Sequence, residues 1–176
     1  YGILGLINFA HGDVLMVGAL VALQTMLFLM GMAPGMSPLV MLAIALAVAM
    51  VICMLLGFTM ERLAYRRLRN APRLAPLITA LGMSILLQAL AMMIWKPNVK
   101  SFPTLLSTDP YFIGEAVITP TQIMILVVTV VSLAVLMYIV HYTNIGRAMR
   151  ATAENPRVAA LMGVKPDAVI SATFII

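Results

Sequence analysis

The sequence predicts an all-α bundle of membrane-spanning helices. Three observations carry that expectation. Hydrophobic residues make up 63% of the 176 and charged residues only 10%, against roughly half and a quarter in a soluble domain. Four uncharged stretches reach the roughly 20 apolar residues that a helix needs to cross a bilayer. Nine of the 11 Lys and Arg residues fall in two loops separated by two of those stretches. With so little polar surface to show water, lipid must be the solvent.

Taken in order, Tyr1–Ile7 reads as the end of an earlier span. Val14–Ala33, Pro38–Met60, Leu74–Trp95 and Ile118–Val140 are four complete spans, and Ala168–Ile176 opens another. The expectation is four complete spans plus two truncated ones. Residues 1–176 form a single transmembrane domain, an internal piece of a longer protein. The 16 Met residues fit apolar helix packing, where an unbranched side chain fills gaps. The lone Cys53 lies inside a span; it has no disulfide partner and no zinc-type spacing around it.

The loops set the topology. Glu61–Arg73 holds Arg62, Arg66, Arg67, Arg69 and Arg73, and His141–Asp167 holds Arg147, Arg150, Arg157 and Lys165. Positive-inside logic assigns both to the cytoplasm. Gly31–Ser37 and Lys96–Thr119 then face outward, and the parity of four spans agrees. Trp95 stands where an interfacial anchor belongs. Basic charge in this pattern points to topology and anionic lipid, not to nucleic acid. In the second span Ala45, Ala49, Cys53 and Gly57 recur every four residues, a smooth stripe for close helix approach. Gln24, Thr25, Thr79, Gln88 and Thr129 are expected to hydrogen-bond between helices.

The stretch Asn8-Phe9-Ala10-His11-Gly12-Asp13 is polar for its surroundings. Asn8, Gly12 and Asp13 can break a helix and satisfy the freed backbone groups locally, and discontinuous membrane helices use such breaks. The structural break is the first reading. A ligand or proton role for His11 and Asp13 is its rival, since ionisable groups at membrane depth are candidate functional residues. Enzyme readings lack partners: no motif surrounds the span serines Ser84, Ser132 and Ser171, and Asp13 has no second Asp for a dyad. No phosphate-binding loop occurs, so any ATP is used by another chain.

The loop segment Ala153–Asp167 is the most informative. Asn155 is a good N-cap, Pro156 suits the first helical position, and Gly163 is a natural stop after Met162. Val158, Ala159, Leu161 and Met162 give the two turns between them an apolar surface. So short a helix is marginal without packing. It either lies on the membrane or docks onto a partner.

Four blocks then resemble a known family: GLINFAHGDVLMVGA (Gly5–Ala19), ERLAYRRLR (Glu61–Arg69), LITALGMSILLQ (Leu77–Gln88) and GRAMRATAENPRVAALMGV (Gly146–Val164). Together, and in this order, they are similar to the permease subunits of branched-chain amino-acid ABC importers. The resemblance implies an ABC-importer permease fold in the inner membrane of a bacterium or archaeon. It implies a second permease subunit, two ATPase subunits that use the ATP, an extracytoplasmic solute-binding protein, and no cofactor or metal on this chain. It also implies that Glu154–Gly163 is a coupling helix seated in a cleft of the ATPase, built from Glu154, Asn155, Pro156, Arg157, Val158, Ala159, Leu161, Met162 and Gly163. Against the general importer motif Glu-Ala-Ala-x-x-x-Gly, Ala159 and Gly163 fall in place. Arg157 stands where the motif has Glu and Val158 where it has Ala, while Glu154 lies three residues earlier.

The expected function is alternating-access transport of branched-chain or other hydrophobic amino acids, with no covalent chemistry. A charge at Ala159 or Leu161 is expected to uncouple it. Three rivals remain: a relative that carries urea or short amides, a proton-coupled transporter using His11 and Asp13, and an intramembrane enzyme.

Overall fold

The computed structural model describes residues 10–68, 74–103, 111–113 and 116–175, with backbone alone for Arg67, Tyr111–Ile113 and Ala116. Four long helices dominate: α1 (His11–Met32), α2 (Pro38–Met60), α3 (Leu74–Trp95) and α4 (Pro120–Tyr142). Each is long and apolar enough to cross a bilayer. Three shorter helices follow: α5 (Asn144–Glu154), α6 (Pro156–Leu161) and α7 (Pro166–Ile175). The all-α expectation holds.

The boundaries have local causes. Pro38 opens α2 behind Ser37, where its missing N–H costs nothing. Lys96 closes α3 with a left-handed φ of 59° just before Pro97. At α4 the Thr119 hydroxyl accepts from the Gln122 N–H, and the Gln122 side chain accepts from the Thr119 N–H. That capping box starts the helix two residues later than its apolar run suggests. The loop between α3 and α4 adds an element that composition did not signal. Strands β1 (Tyr111–Ile113) and β2 (Ala116–Ile118) pair antiparallel, with Phe112 opposite Val117.

One boundary corrects the sequence reading. Glu61–Arg73 was expected to be loop, but the helical path runs on past Met60. A π turn, Glu61–Tyr65, is followed by a short 3₁₀ turn, Arg66–Leu68. Glu61 itself still makes an α-type bond, its N–H donating to the Gly57 carbonyl, and it stays on the buried Gly57 face.

Packing is by small residues inside and large ones outside. The buried positions of α2 are Met41, Ala45, Ala49, Gly57 and Met60, while Leu39, Leu46, Val51 and Leu55 face outward. Against lipid, outward Leu and Val lose nothing, and small residues let backbones approach. The predicted stripe is therefore the contact face. Gly18 of α1 lies so close to Cys53 that a Cβ there would come within 2.8 Å of the sulfur, and the thiol donates to the Val14 carbonyl at 3.6 Å. Gly57 meets the α7 backbone, and a Cβ would lie 2.1 Å from the Phe174 oxygen. Ala10, Met60, Tyr65, Ala80 and Leu87 form a buried cluster with Val14, Leu56 and Phe174 against it. The core thus sits where the start of α1, the end of α2, the middle of α3 and α7 meet.

Gly57→Val is expected to lower the thermal midpoint of the detergent-solubilised protein, at a cost of about 1–3 kcal/mol of overpacking. Gly82→Ala, with open space around the added methyl, is expected to leave the midpoint unchanged or raise it. Equal midpoints for the two variants would contradict the close contact of α2 with α7.

Candidate coupling surface and buried polar contacts

The segment from α4 to α7 is built around caps. Thr143 ends α4 and begins α5, its hydroxyl accepting from the Gly146 N–H at 3.1 Å. A Cβ at Gly146 would sit 2.2 Å from the Val140 oxygen, so a glycine is required for this sharp corner. The Arg150 guanidinium donates to the Val140 carbonyl, tying α5 back to α4. Gly146, Met149 and Thr152 form the buried stripe of α5, and Arg147 and Arg150 face out.

Asn155 performs the predicted capping. Its side-chain oxygen accepts from the N–H groups of Arg157 at 3.1 Å and Val158 at 3.2 Å, with Pro156 in the first turn. At the other end Gly163 takes a φ of +83°. The Val164 N–H donates to Ala159 O and the Gly163 N–H to Ala160 O, each at 3.1 Å. This is a Schellman closure. Helix α6 is thus closed at both ends by its own residues, one residue shorter than predicted, with Met162 as its C-cap.

Its faces differ sharply. Leu161 is 87% exposed, Met162 81% and Val158 53%, while Ala159 is 3% exposed. Glu154, Asn155, Pro156, Arg157 and Gly163 are also exposed. The expectation for Ala159 needs correcting. It points into the protein and seats the helix, so a charge there would test folding and not docking.

Of the polar stretch near the N-terminus, Asn8 lies outside the described residues. His11, Gly12 and Asp13 form the first turn of α1, with Ala10 as N-cap. His11 is exposed and Asp13 buried, so the two side chains part company. The Gln88 amide donates to the Asp13 carboxylate at 2.9 Å and lies 3.2 Å from Ser84 Oγ. An amide neither gains nor loses a net charge near neutral pH, so this contact suits packing better than a proton relay. Gln88 is the fifteenth residue of α3, roughly 21 Å along it at 1.5 Å per residue. The contact therefore joins the first turn of α1 to the second half of α3. Asp13 sits in the first turn, where the helix dipole favours a negative charge.

Among the polar span residues, Gln88 meets the interhelical expectation. Thr25 and Thr129 do not: each hydroxyl donates to its own helix, to Val21 O at 2.8 Å and Ile125 O at 2.7 Å. A half-open apolar cavity of about 740 Å³ lies between α1, α2 and α4, with Met26, Leu42, Phe102, Ile125 and Thr129 among its walls.

Sequence reasoning missed Glu61. It is 1% exposed, and the Ser171 hydroxyl of α7 donates to its carboxylate at 2.8 Å. A carboxylate followed at once by arginines reads as surface. The one available signal was Gly57, four residues earlier on the same face.

Over residues 1–176 the chain matches the family described as branched-chain amino acid transport system / permease component. The chain belongs to this permease family. It is 40% identical, over its whole length, to the high-affinity branched-chain amino acid transport system permease protein BraD of Pseudomonas aeruginosa. It is 38% identical to the corresponding LivH proteins of Escherichia coli and Salmonella typhimurium. It spans 58% of the length of each of these relatives. No solved structure matches it significantly. As a member of this permease family with four helices fit to cross a bilayer, it is a multi-pass membrane protein.

Replacing Asp13 with Leu is expected to cost about 1 kcal/mol, the usual size of a polar contact between membrane helices. Asp13→Asn, which keeps an acceptor, should recover most of it. Thermal midpoints in detergent read both. A midpoint for Asp13→Leu equal to the parent's would mean the Gln88 contact contributes nothing.

Proposed function

We propose that this chain is the membrane-spanning part of an ATP-driven importer of branched-chain amino acids, and that α6 is the surface on which a cytoplasmic ATPase acts. The observation that carries this is the form of α6. A six-residue helix has no stability of its own, yet here it is capped at both ends and seated by Ala159. It presents Val158, Leu161 and Met162 to the outside beside the basic Arg157. A surface so fixed and so apolar suits a partner's cleft. Hydrophobic anchors that fill a pocket dominate such interfaces.

Family membership supports the transport role, and the relatives' names favour branched-chain amino acids over urea or short amides. The chain bears no phosphate-binding loop, so the ATPase would be a separate subunit. The positive charge of Arg62, Arg66, Arg147, Arg150, Arg157 and Lys165 supports a cytoplasmic assignment for α5, α6 and the end of α2. The loop carrying β1 and β2 would then face outward, toward a solute-binding protein. A second permease subunit would complete the pathway, and the outward Leu and Val of the spans would meet lipid or that subunit. The Asp13–Gln88 contact argues against a proton-coupled mechanism through His11 and Asp13.

Leu161→Glu in the full-length permease, expressed with its native neighbours, should abolish ATP-driven leucine uptake into vesicles while insertion and thermal midpoint stay unchanged. Ala159→Glu should instead lower the midpoint. Parent-level uptake by Leu161→Glu would remove α6 from the coupling surface.

A further inference from the structure

We infer that the cleft between the end of α2 and the start of α7 binds the phosphate headgroup of an anionic membrane lipid. Basic loops beside a bilayer attract such lipids in a general way. This cleft is a defined place, with two cations lining it. The site does not depend on the reading of α6.

Two segments far apart in sequence build it. Just past α2, the π turn Glu61–Tyr65 closes with the Arg66 N–H donating to the Glu61 carbonyl. The Tyr65 ring lies 5.2 Å from that of Phe174, and Gly57 meets the Phe174 backbone. The end of the α2 path is therefore held against α7 along a seam, which fixes Arg66 near the start of α7. On the other wall Lys165 opens that helix, its carbonyl accepting from the Ala168 and Val169 N–H groups at 3.1 and 3.2 Å. An open cleft of about 540 Å³ lies here, with Arg66, Val164, Lys165, Pro166, Asp167 and Ser171 among its walls.

The charges favour an anion. Arg66 and Lys165 are exposed, and among the described residues neither side chain has a hydrogen bond or ion pair. Other arginines at this end are engaged within the chain. Arg62 lies over the Phe58 ring, Arg147 donates to Asn144, and Arg150 donates to the Val140 carbonyl. Asp167 also lines the cleft, in the first turn of α7, where a carboxylate answers the positive end of the helix dipole. Among the described walls, two cations against that one carboxylate leave a net positive charge. That charge matches a phosphodiester.

Depth selects the source of the phosphate. The helical path Pro38–Tyr65 covers 28 residues, roughly 40 Å at about 1.5 Å per residue. A bilayer with its headgroup regions is about as thick, so Arg66, at the end of this path, lies level with the headgroups. Lys165 stands at the same level, immediately before the apolar helix α7. At that depth lipid is the abundant phosphate.

The test is native mass spectrometry of the full-length permease in detergent, titrated with phosphatidylglycerol and, separately, with phosphatidylcholine. The parent should prefer phosphatidylglycerol. Arg66→Gln and Lys165→Gln should each weaken its binding about fivefold, the usual worth of one basic residue beside an anionic surface, with thermal midpoints unchanged. Lys165→Arg, which keeps the charge, should bind as the parent does. Arg62→Gln removes a charge from the same end but not from the cleft, and should leave the affinity unchanged. If Arg66→Gln lowers the midpoint, the Lys165 variants decide, since Lys165 is exposed outside any helix.

Equal losses in Arg62→Gln and the cleft variants would mean diffuse attraction to a basic surface and overturn the site. Parent-level affinity in Lys165→Gln would overturn it as well. Displacement of the lipid by inorganic phosphate, but not by chloride at the same ionic strength, would assign the cleft to a soluble phosphate and overturn the lipid as its ligand.

Discussion

Lipid offers no hydrogen bonds, and among the described residues two carboxylates, Asp13 and Glu61, lie in the packed interior. Much of the bundle's arrangement follows from how those two are answered. Asp13 is met by Gln88 of α3 and Glu61 by Ser171 of α7. Each contact joins helices far apart in sequence, and each sits beside the cluster of Ala10, Met60, Tyr65, Ala80 and Leu87. Apolar packing alone would leave the helices free to slide, because Leu against Leu resembles Leu against lipid. The polar contacts supply direction, and the small residues of α2 make the approach close enough for them to form.

The same constraint separates the two ends of the fold. Helix α4, which starts beside the two-stranded hairpin, buries no residue against the rest of the chain, and beyond Thr121 and Gln122 its surface is mostly apolar. Toward the basic end, α5, α6 and α7 are held to the spans by caps, a glycine corner and the α2 seam. Specific structure concentrates at the end where the short exposed helix lies. That distribution suits a device in which force enters at one end and lipid-facing spans respond.

Most of the architecture was legible in the residues. The start of α2 and both limits of α3 could be read to the residue, because Pro38, the arginine before Leu74 and Lys96-Pro97 punctuate them sharply. Asn155, Pro156 and Gly163 announced α6 through well-understood capping chemistry. What escaped has physical reasons. Glu61 lies just past the apolar run and next to Arg62, so it read as surface although it continues the buried Gly57 face. The hairpin lies among prolines that signalled only loop. The inward face of α6 was hidden because Val158, Ala159, Ala160, Leu161 and Met162 are all apolar, so composition does not say which of them turns inward. The polar character of the first turn of α1 was legible, but the partner of Asp13, Gln88 on α3, lies 75 residues away and leaves no local signal.

The claim on which the account depends is that α6 meets an ATPase. A photo-activated cross-linker at position 161, in the full-length permease expressed with its neighbouring genes in native membranes, tests this most directly. Leu161 is exposed on a helix held rigid at both ends, so the probe samples one surface. The account predicts one main adduct, with a subunit that contains a phosphate-binding loop, lost when the probe is moved to the buried position 159. Adducts with lipid alone, or with other segments of the permease, would contradict it.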